Sequence, residues 1–531
     1  MSGKDKEYKI FWGEAHDNTF QFETMPITLE ELYRQAASHL DFHAMAYYTA
    51  CASAFQDGGH HFETNRKQNL ILEGWKDQER LDREWAEIQR ASRQMYEPGK
   101  FVTFPGYEWQ GDGRQGDHNI FALQEGLPIF RVNTIEELYK RLEGHEAIAI
   151  PHHTGYRTGR RAPDWSKLRE ELSPFAEIFS IHGCSETDEE WIGLRHNSHM
   201  GPGQGGSTYQ DALDRGLHLG AVCSTDNWGG LPGTHGRGLM AVLAEELTRE
   251  SLWQAFKARR VYGVTGDRIR LLFTVNGEDM GKIIETKGKR VIKVRVTGLE
   301  ALDRIELLRN GRVIATQCHQ GTWDLPGPGK RSMFKIRIEA GWGPRPNEMD
   351  VDDRTWTGEL RVPGSRITGF EPCWITPGQG RPVLRGDMAA FTMKSSTQTL
   401  NQRSQNATVF EFEGDISDRL SVTMNGMTET DSIANLCRAS RTMWFKDECI
   451  RMVEEKADIL PGSPEREDIY WSLAFKVKIH RVIPESAYTA EFSFEDDEPL
   501  AGETNYRVRV EQRNAQRAWS SPIWVKPEKR D

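Results

Sequence analysis

Several features are scarce or absent in this 531-residue chain. No apolar run approaches the ~20 residues that a membrane-spanning helix needs, and mean hydropathy is −0.65, so no membrane partner is expected. Cysteine is sparse: seven residues are scattered along the chain and none forms a CxxC pair. That spacing argues against a disulfide framework and for a reducing compartment, with the cytoplasm the expected location. The first residues, up to Lys6, hold no apolar stretch of the signal-peptide kind. Basic residues are outnumbered, 68 Lys and Arg against 79 Asp and Glu, for a net charge of −11. An acidic surface of that kind disfavours phosphate-backbone partners, and nucleic acid is not expected. Internal repeats and low-complexity linkers are missing as well.

The length suggests two to three domains at roughly 100–200 residues each. Two textures divide the chain. Up to about residue 274, apolar strand-like runs alternate with amphipathic helical segments, such as Leu29 to Leu40, opened by Thr28 and Glu31 as a capping box. From about 275 to 531, segments such as Val291 to Val296, Phe334 to Ile338 and Tyr506 to Val510 alternate apolar and charged residues, the signature of half-buried antiparallel strands. The expected fold class is therefore α/β: a β/α barrel over 1–274, then an antiparallel, β-sandwich-like domain over 275–531.

Polar residues recur where the upstream strands end. His16 and Asn18 follow the run from Tyr8 to Trp12, and their spacing puts both on one side of an extended backbone, within reach of one metal ion. Glu108 follows Lys100 to Pro105; His118 opens another strand; His152 and His153 end Ala147 to Pro151; His182 follows Ala176 to Ile181; Asp226 follows Leu217 to Ser224. In a β/α barrel such strand ends open on one face, so scatter along the sequence becomes convergence in space. Mixed imidazole and carboxylate donors suit zinc, manganese or iron better than magnesium or calcium. His153 and His182 are candidates to move protons or to complete a ligand set. Arg157, Arg160 and Arg161 lie within nine residues of His152, and guanidinium groups beside a metal site suit a small anionic substrate.

The motifs FWGEAHDNT, FPGYEW, GDHNIFAL, AIAIPHHTG, GAVCSTDNWGGLPG and RRVYGVTGDRI, in that order, with the closing YRVRVEQRNAQRAWSSPIWV, resemble the PHP superfamily of polymerase and histidinol phosphatase domains. The likeness is to a branch in which the barrel carries a β-rich tail. It implies a distorted seven-stranded, TIM-like barrel and metal-dependent phosphoesterase chemistry with up to three ions. Position by position, it implies metal ligation by His16, Asn18, Glu108, His118, His152 and Asp226, with Glu108 bridging two ions. Three positions depart from the family pattern: Asn18 replaces a histidine, Tyr47-Tyr48 replaces Asp-His, and Trp228 replaces a histidine. Tyrosine and tryptophan there argue against a third ion, leaving one or two divalent transition ions. His235 could stand in for the missing histidine, and Tyr48 could contact substrate instead of metal.

The function expected is a metal-dependent hydrolase acting on a phosphoester or related ester-like small molecule. The alternatives are an inactive barrel that binds a ligand, and a metal-dependent lyase or hydrolase acting on a non-phosphate bond. Oligomeric state is not legible in the sequence.

Overall fold

The computed structural model describes residues 8–18, 20, 22, 27–49, 78–159, 161–189, 194, 202–227, 230–342, 353–395, 405–456 and 475–528. The upstream part contains β1 (Lys9–Asp17), α1 (Leu29–Ala37), β2 (Phe42–Met45), β3 (Tyr47–Tyr48), α2 (Gln78–Met95), β4 (Val102–Phe104), β5 (Gly106–Trp109), β6 (Asp117–Ala122), α3 (Ile135–Leu142), β7 (Ala147–His152), β8 (Phe175–Ser180), β9 (Gly183–Cys184), α4 (Tyr209–Asp214), β10 (Gly220–Cys223), β11 (Leu239–Ala244), α5 (Arg249–Lys257) and β12 (Val261–Val264). Local sequence sets the helix starts. Thr28 accepts a hydrogen bond from the Glu31 amide, and Thr134 with Glu137 forms a complete capping box.

These strands lie in three sheets. β4, β2 and β1 run parallel, and β11 and β12 continue that sheet antiparallel. β3 pairs parallel with β5, which continues antiparallel through β6 to β7. β10 pairs parallel with β8, and β8 antiparallel with β9. One face of these strands buries Ala15, Phe42, Phe104, Phe121, Ile148, Ile150, Phe175, Val222 and Met240 in a common core. The opposite face of β6 and β7 packs Ile120, Ala122 and Ala149 with Leu138 and Tyr139 of α3.

The expected TIM-like barrel with a sandwich-like domain behind it is not what forms. The structure is strand-rich, 45% strand against 17% helix, with many sheets and, among the described residues, no closed barrel. The physical reason is in the connections. A TIM barrel needs a helical crossover after every parallel strand. Here β5 and β6 are joined by seven residues, 110–116, which permits only an antiparallel pair. β11 is likewise antiparallel to both of its neighbours.

Downstream, antiparallel sheets of four, six and five strands form. Ile336, Phe410 and Phe412 of the six-stranded sheet share a core with Leu360, Phe391 and Val422 of the five-stranded one. The tail also returns to the upstream sheet: Arg517–Ser520 pairs antiparallel with β12, and Trp519 and Trp524 are buried beside Ile178 and Ala221. Among the described residues, no helix is long and apolar enough to cross a membrane.

Candidate metal centre

The strand ends do converge. His16 is the penultimate residue of β1; Glu108 comes from β5, Asp117 from β6, His152 from β7, and Glu177 from β8. His153 follows β7 directly, and His182 and Asp226 lie two and three residues beyond β8 and β10. His16, Glu108, Asp117, His152, Glu177 and Asp226 are all buried. His16 Nδ1 donates to Glu177 Oε2 at 2.8 Å, which turns Nε2 toward Asp226 Oδ1 at 3.3 Å and Glu108 Oε2 at 3.7 Å. His182 Nε2 lies 2.8 Å from Asp226 Oδ2. His152 Nε2 lies 3.7 Å from Glu108 Oε1, and His153 Nε2 3.7 Å from Asp117 Oδ2. The four rings form a chain: His16 to His152 at 4.2 Å, His152 to His153 at 4.4 Å, His153 to His182 at 5.1 Å between centroids.

Two groups bring ligand atoms within 4.8 Å of one another: Glu108, Asp117, His152 and His153, and then His153, His182 and Asp226. Three residues of this constellation, His153, Arg161 and Asp226, have left-handed backbones at φ 54°, 65° and 50°. Side chains rarely adopt that conformation, and its concentration in one place marks a functional site.

Burial and charge oppose each other throughout. Burial alone would raise the Glu108 carboxyl, but His152 and His16 hold it well below its usual range. Asp226 is depressed in the same way, by His16 and His182. Burial pushes Asp117 up to about 6 against the pull of Arg161. Burial works against a charged His182, but Asp226 outweighs it and raises the ring. Burial and the neighbouring His152 hold His153 well below its usual value.

A divalent ion fits this donor set. His152 is buried with neither ring nitrogen hydrogen-bonded to any described residue, and Asp117 Oδ1 is equally bare. A buried polar atom without a partner costs about 1–3 kcal/mol, so these atoms call for a ligand. His16 has the arrangement common to metal-binding histidines, with one nitrogen fixed by a carboxylate and the other turned into the site.

The sequence-derived residues distribute as follows. His16, Asn18, Glu108, His152, His153, His182 and Asp226 meet. His118 does not join them. Along β6, Asp117, Asn119 and Phe121 face one side and His118 the other. The His118 ring instead approaches Trp109 and Tyr139 at 5.9 and 6.3 Å, and burial pushes it down to about 3. Asn18 presents its amide nitrogen: Nδ2 donates to Glu108 Oε2 at 2.8 Å and Asp226 Oδ1 at 3.3 Å. His235 lies in a separate cluster with Asp267 and Cys373. Tyr48 is buried, in parallel register with Glu108. Arg161 donates Nε to Asp117 Oδ2 at 2.7 Å, with Nη2 on the same oxygen. Arg157 is exposed. Arg160 and Trp228 lie outside the described residues.

Glu177 and Asp117 were not picked out by sequence reasoning. Glu177 had a signal, a lone carboxylate inside the apolar run Phe175-Ala176-Glu177-Ile178-Phe179. Asp117 adjoins His118, and strand alternation allows only one of the two to face the site. Because Glu177 orients His16, Glu177→Gln should weaken metal binding about 10- to 100-fold. Competition against a chelating dye measures this, and unchanged affinity would show that the carboxylate does not orient the ligand.

Fold and site together define a strand-rich protein with a buried centre of histidines and carboxylates. The model of a family described as "Protein of unknown function (DUF3604)" matches residues 17–193 and 214–291, which hold the residues of this centre except His16. An uncharacterized protein of Chlamydia pneumoniae is 27% identical over 289 residues, covering 48% of this chain and 44% of that protein. One of Chlamydia muridarum is 29% identical over 202 residues, covering 34% and 31%. The chain thus spans less than half the length of these curated relatives. A solved two-domain protein from Bacteroides vulgatus, containing a predicted PHP-like metal-dependent phosphoesterase, covers 80% of this chain and 95% of its own at 10% identity, with a TM-score of 0.29. A likeness that slight fixes neither fold nor chemistry.

Proposed function

We propose that this protein is a metal-dependent hydrolase of a small, anionic, ester-like molecule, with a phosphoester the first candidate. The observation that carries the reading is the convergence of the two ligand groups on His153, with both His152 ring nitrogens and Asp117 Oδ1 left without hydrogen-bond partners among the described residues. His16, Glu108, Asp117, His152, His153 and Asp226 would hold one or two ions, and the mixed nitrogen and oxygen donors suit zinc, manganese or iron. When bound, such an ion lowers the pKa of a water toward neutrality and polarises the centre under attack. Glu177 keeps His16 in one tautomer and orientation. His182, the most exposed imidazole of the set at 19%, is placed to pass a proton between substrate and solvent. Arg161, fixed by Asp117, offers positive charge beside Glu108 without closing the site.

One observation favours a second reading, a ligand-binding protein without turnover. The Asn18 amide nitrogen sits among Glu108 Oε2, Asp226 Oδ1 and His16 Nε2, the last at 3.4 Å, and supplies there the positive end of a dipole. Elemental analysis separates the two. The hydrolase should retain one or two transition ions per chain and should hydrolyse a generic phosphomonoester or phosphodiester. That activity should be lost to a chelator and restored by metal. Protein purified without chelator that holds no metal and takes up none would support the second reading.

A further inference from the structure

Tyr156 lies in the loop after β7, and nothing in the centre as described uses it. Its position is tightly held. The Gly155 amide donates to Ser207 O at 2.9 Å, the Gln204 amide donates to Gly155 O at 2.7 Å, and Ser207 Oγ donates to Tyr156 O at 2.5 Å. Gly155 itself needs φ +76°, and an added Cβ would sit 3.0 Å from Ser185 Cβ. The loop therefore fixes where the Tyr156 ring goes. That ring meets His153 at 6.2 Å, nearly perpendicular, and the phenol interacts electrostatically with both Asp226 and Arg161. Tyr156 is 1% exposed, yet its hydroxyl has no hydrogen-bond partner among the described residues. A buried hydroxyl is normally paired, so one held by three hydrogen bonds of its own loop and left bare against the centre points to a ligand.

Arg161 supplies the second donor. Asp117 occupies Nε and Nη2, and the Nη1 edge makes no hydrogen bond with any described residue. The Arg161 side chain is 12% exposed.

We propose that the Tyr156 hydroxyl and the Nη1 edge of Arg161 together receive the phosphoryl group of the substrate, each donating to a different non-bridging oxygen. This rests on the hydrolase reading above and gives it a substrate class. A tetrahedral oxyanion offers oxygens in more than one plane, so a phenol and a guanidinium five residues apart in the loop after β7 can each donate to a different one. A planar carboxylate is better served by the guanidinium fork alone.

The test uses the full-length, metal-loaded protein and inorganic phosphate as probe, with acetate as the planar comparison, both by calorimetric titration. Tyr156→Phe removes only the hydroxyl. It should leave metal content and the thermal unfolding midpoint unchanged and weaken phosphate binding about ten- to a hundredfold, as loss of a hydrogen bond to a charged ligand does. Equal phosphate affinity in wild type and Tyr156→Phe, with metal retained in both, overturns the inference and leaves the hydrolase reading standing. The same holds if metal-loaded wild type binds no phosphate, or binds acetate more tightly. A Tyr156→Phe protein that unfolds or loses its metal also overturns it, because the hydroxyl would then be structural. Wild type that cannot be loaded with metal removes the hydrolase reading itself, and the phosphoryl assignment with it.

Discussion

Asp226→Asn should strip metal from the group formed with His153 and His182, and hydrolysis should fall at least about a hundredfold. The substitution keeps the side chain's size and removes its charge. In the native protein that charge faces His16 Nε2 at 3.3 Å through one oxygen and His182 Nε2 at 2.8 Å through the other. Residues that merely orient a metal ligand cost 10- to 100-fold when replaced, so a direct ligand should cost no less. The backbone is the second reason for a large effect. Asp226 sits at φ 50°, a conformation asparagine tolerates well, so the variant should fold and the loss can be assigned to charge. Metal analysis and a phosphoester assay on the same preparation check it. Full metal content with full activity would mean that Asp226 only pairs with the two imidazoles and that the ion is held by Glu108, Asp117, His152 and His153 alone.

The candidate site was more legible in the sequence than the fold. Residues that end apolar runs with an acid or an imidazole stand out at any level of architecture, and seven of the expected residues do meet. What the sequence hid was strand direction and facing. Both a parallel strand buried on two faces and a central antiparallel strand read as an apolar run, so β6 passed for a member of a β/α barrel. The seven-residue link before β6 was the available clue. Facing explains His118. A histidine beside an aspartate at a strand start is ambiguous until one knows which of the two shares a face with Phe121. Glu177 was hidden for a related reason: it lies within a strand, and attention to strand ends passes over it. His235 was misplaced because nearness to Asp226 in sequence is not nearness in space once the loop between β10 and β11 turns away.

His235 leads to the second large effect. Asp267→Ala should destabilise the folded protein by about 3–5 kcal/mol, as removal of one partner from a buried ionic network does, while leaving metal content unchanged. Asp267 is fully buried just after β12. Its carboxylate accepts from His235 Nε2 at 2.8 Å, from Arg337 Nη2 at 2.8 and 2.7 Å, and from Gln512 Nε2 and Asn514 Nδ2 at 2.8 Å each; the Cys373 thiol lies at 3.7 Å. Those partners come from the loop after β10, from two strands of the six-stranded sheet and from the tail. One carboxylate thus ties upstream and downstream segments together, and its loss leaves the Arg337 guanidinium buried without its anion. Such saturation is also why we assign this cluster no metal, although His235, Asp267 and Cys373 approach closely enough to hold one. The pH dependence follows from the same contacts. Burial opposes a charged His235, but Cys373 and Asp267 outweigh it and raise the ring to about 9. A raised histidine contributes stability fully present below its unfolded value of about 6.5 and lost as pH rises through its folded value, so the loss should fall between about pH 6.5 and 9. Asp267 is held well below its usual range, against burial, by Arg337 and His235, and its contribution is lost only in acid, below about pH 4. Urea denaturation of native protein and Asp267→Ala at pH 6, 7.5 and 9 tests both points, with Cys373→Ser as the control for the sulfur's own contribution. A difference that stays constant from pH 6 to 9 would mean that His235 is neutral in the folded state, and a difference under about 1 kcal/mol at pH 6 would mean that the other donors reorganise around the missing carboxylate.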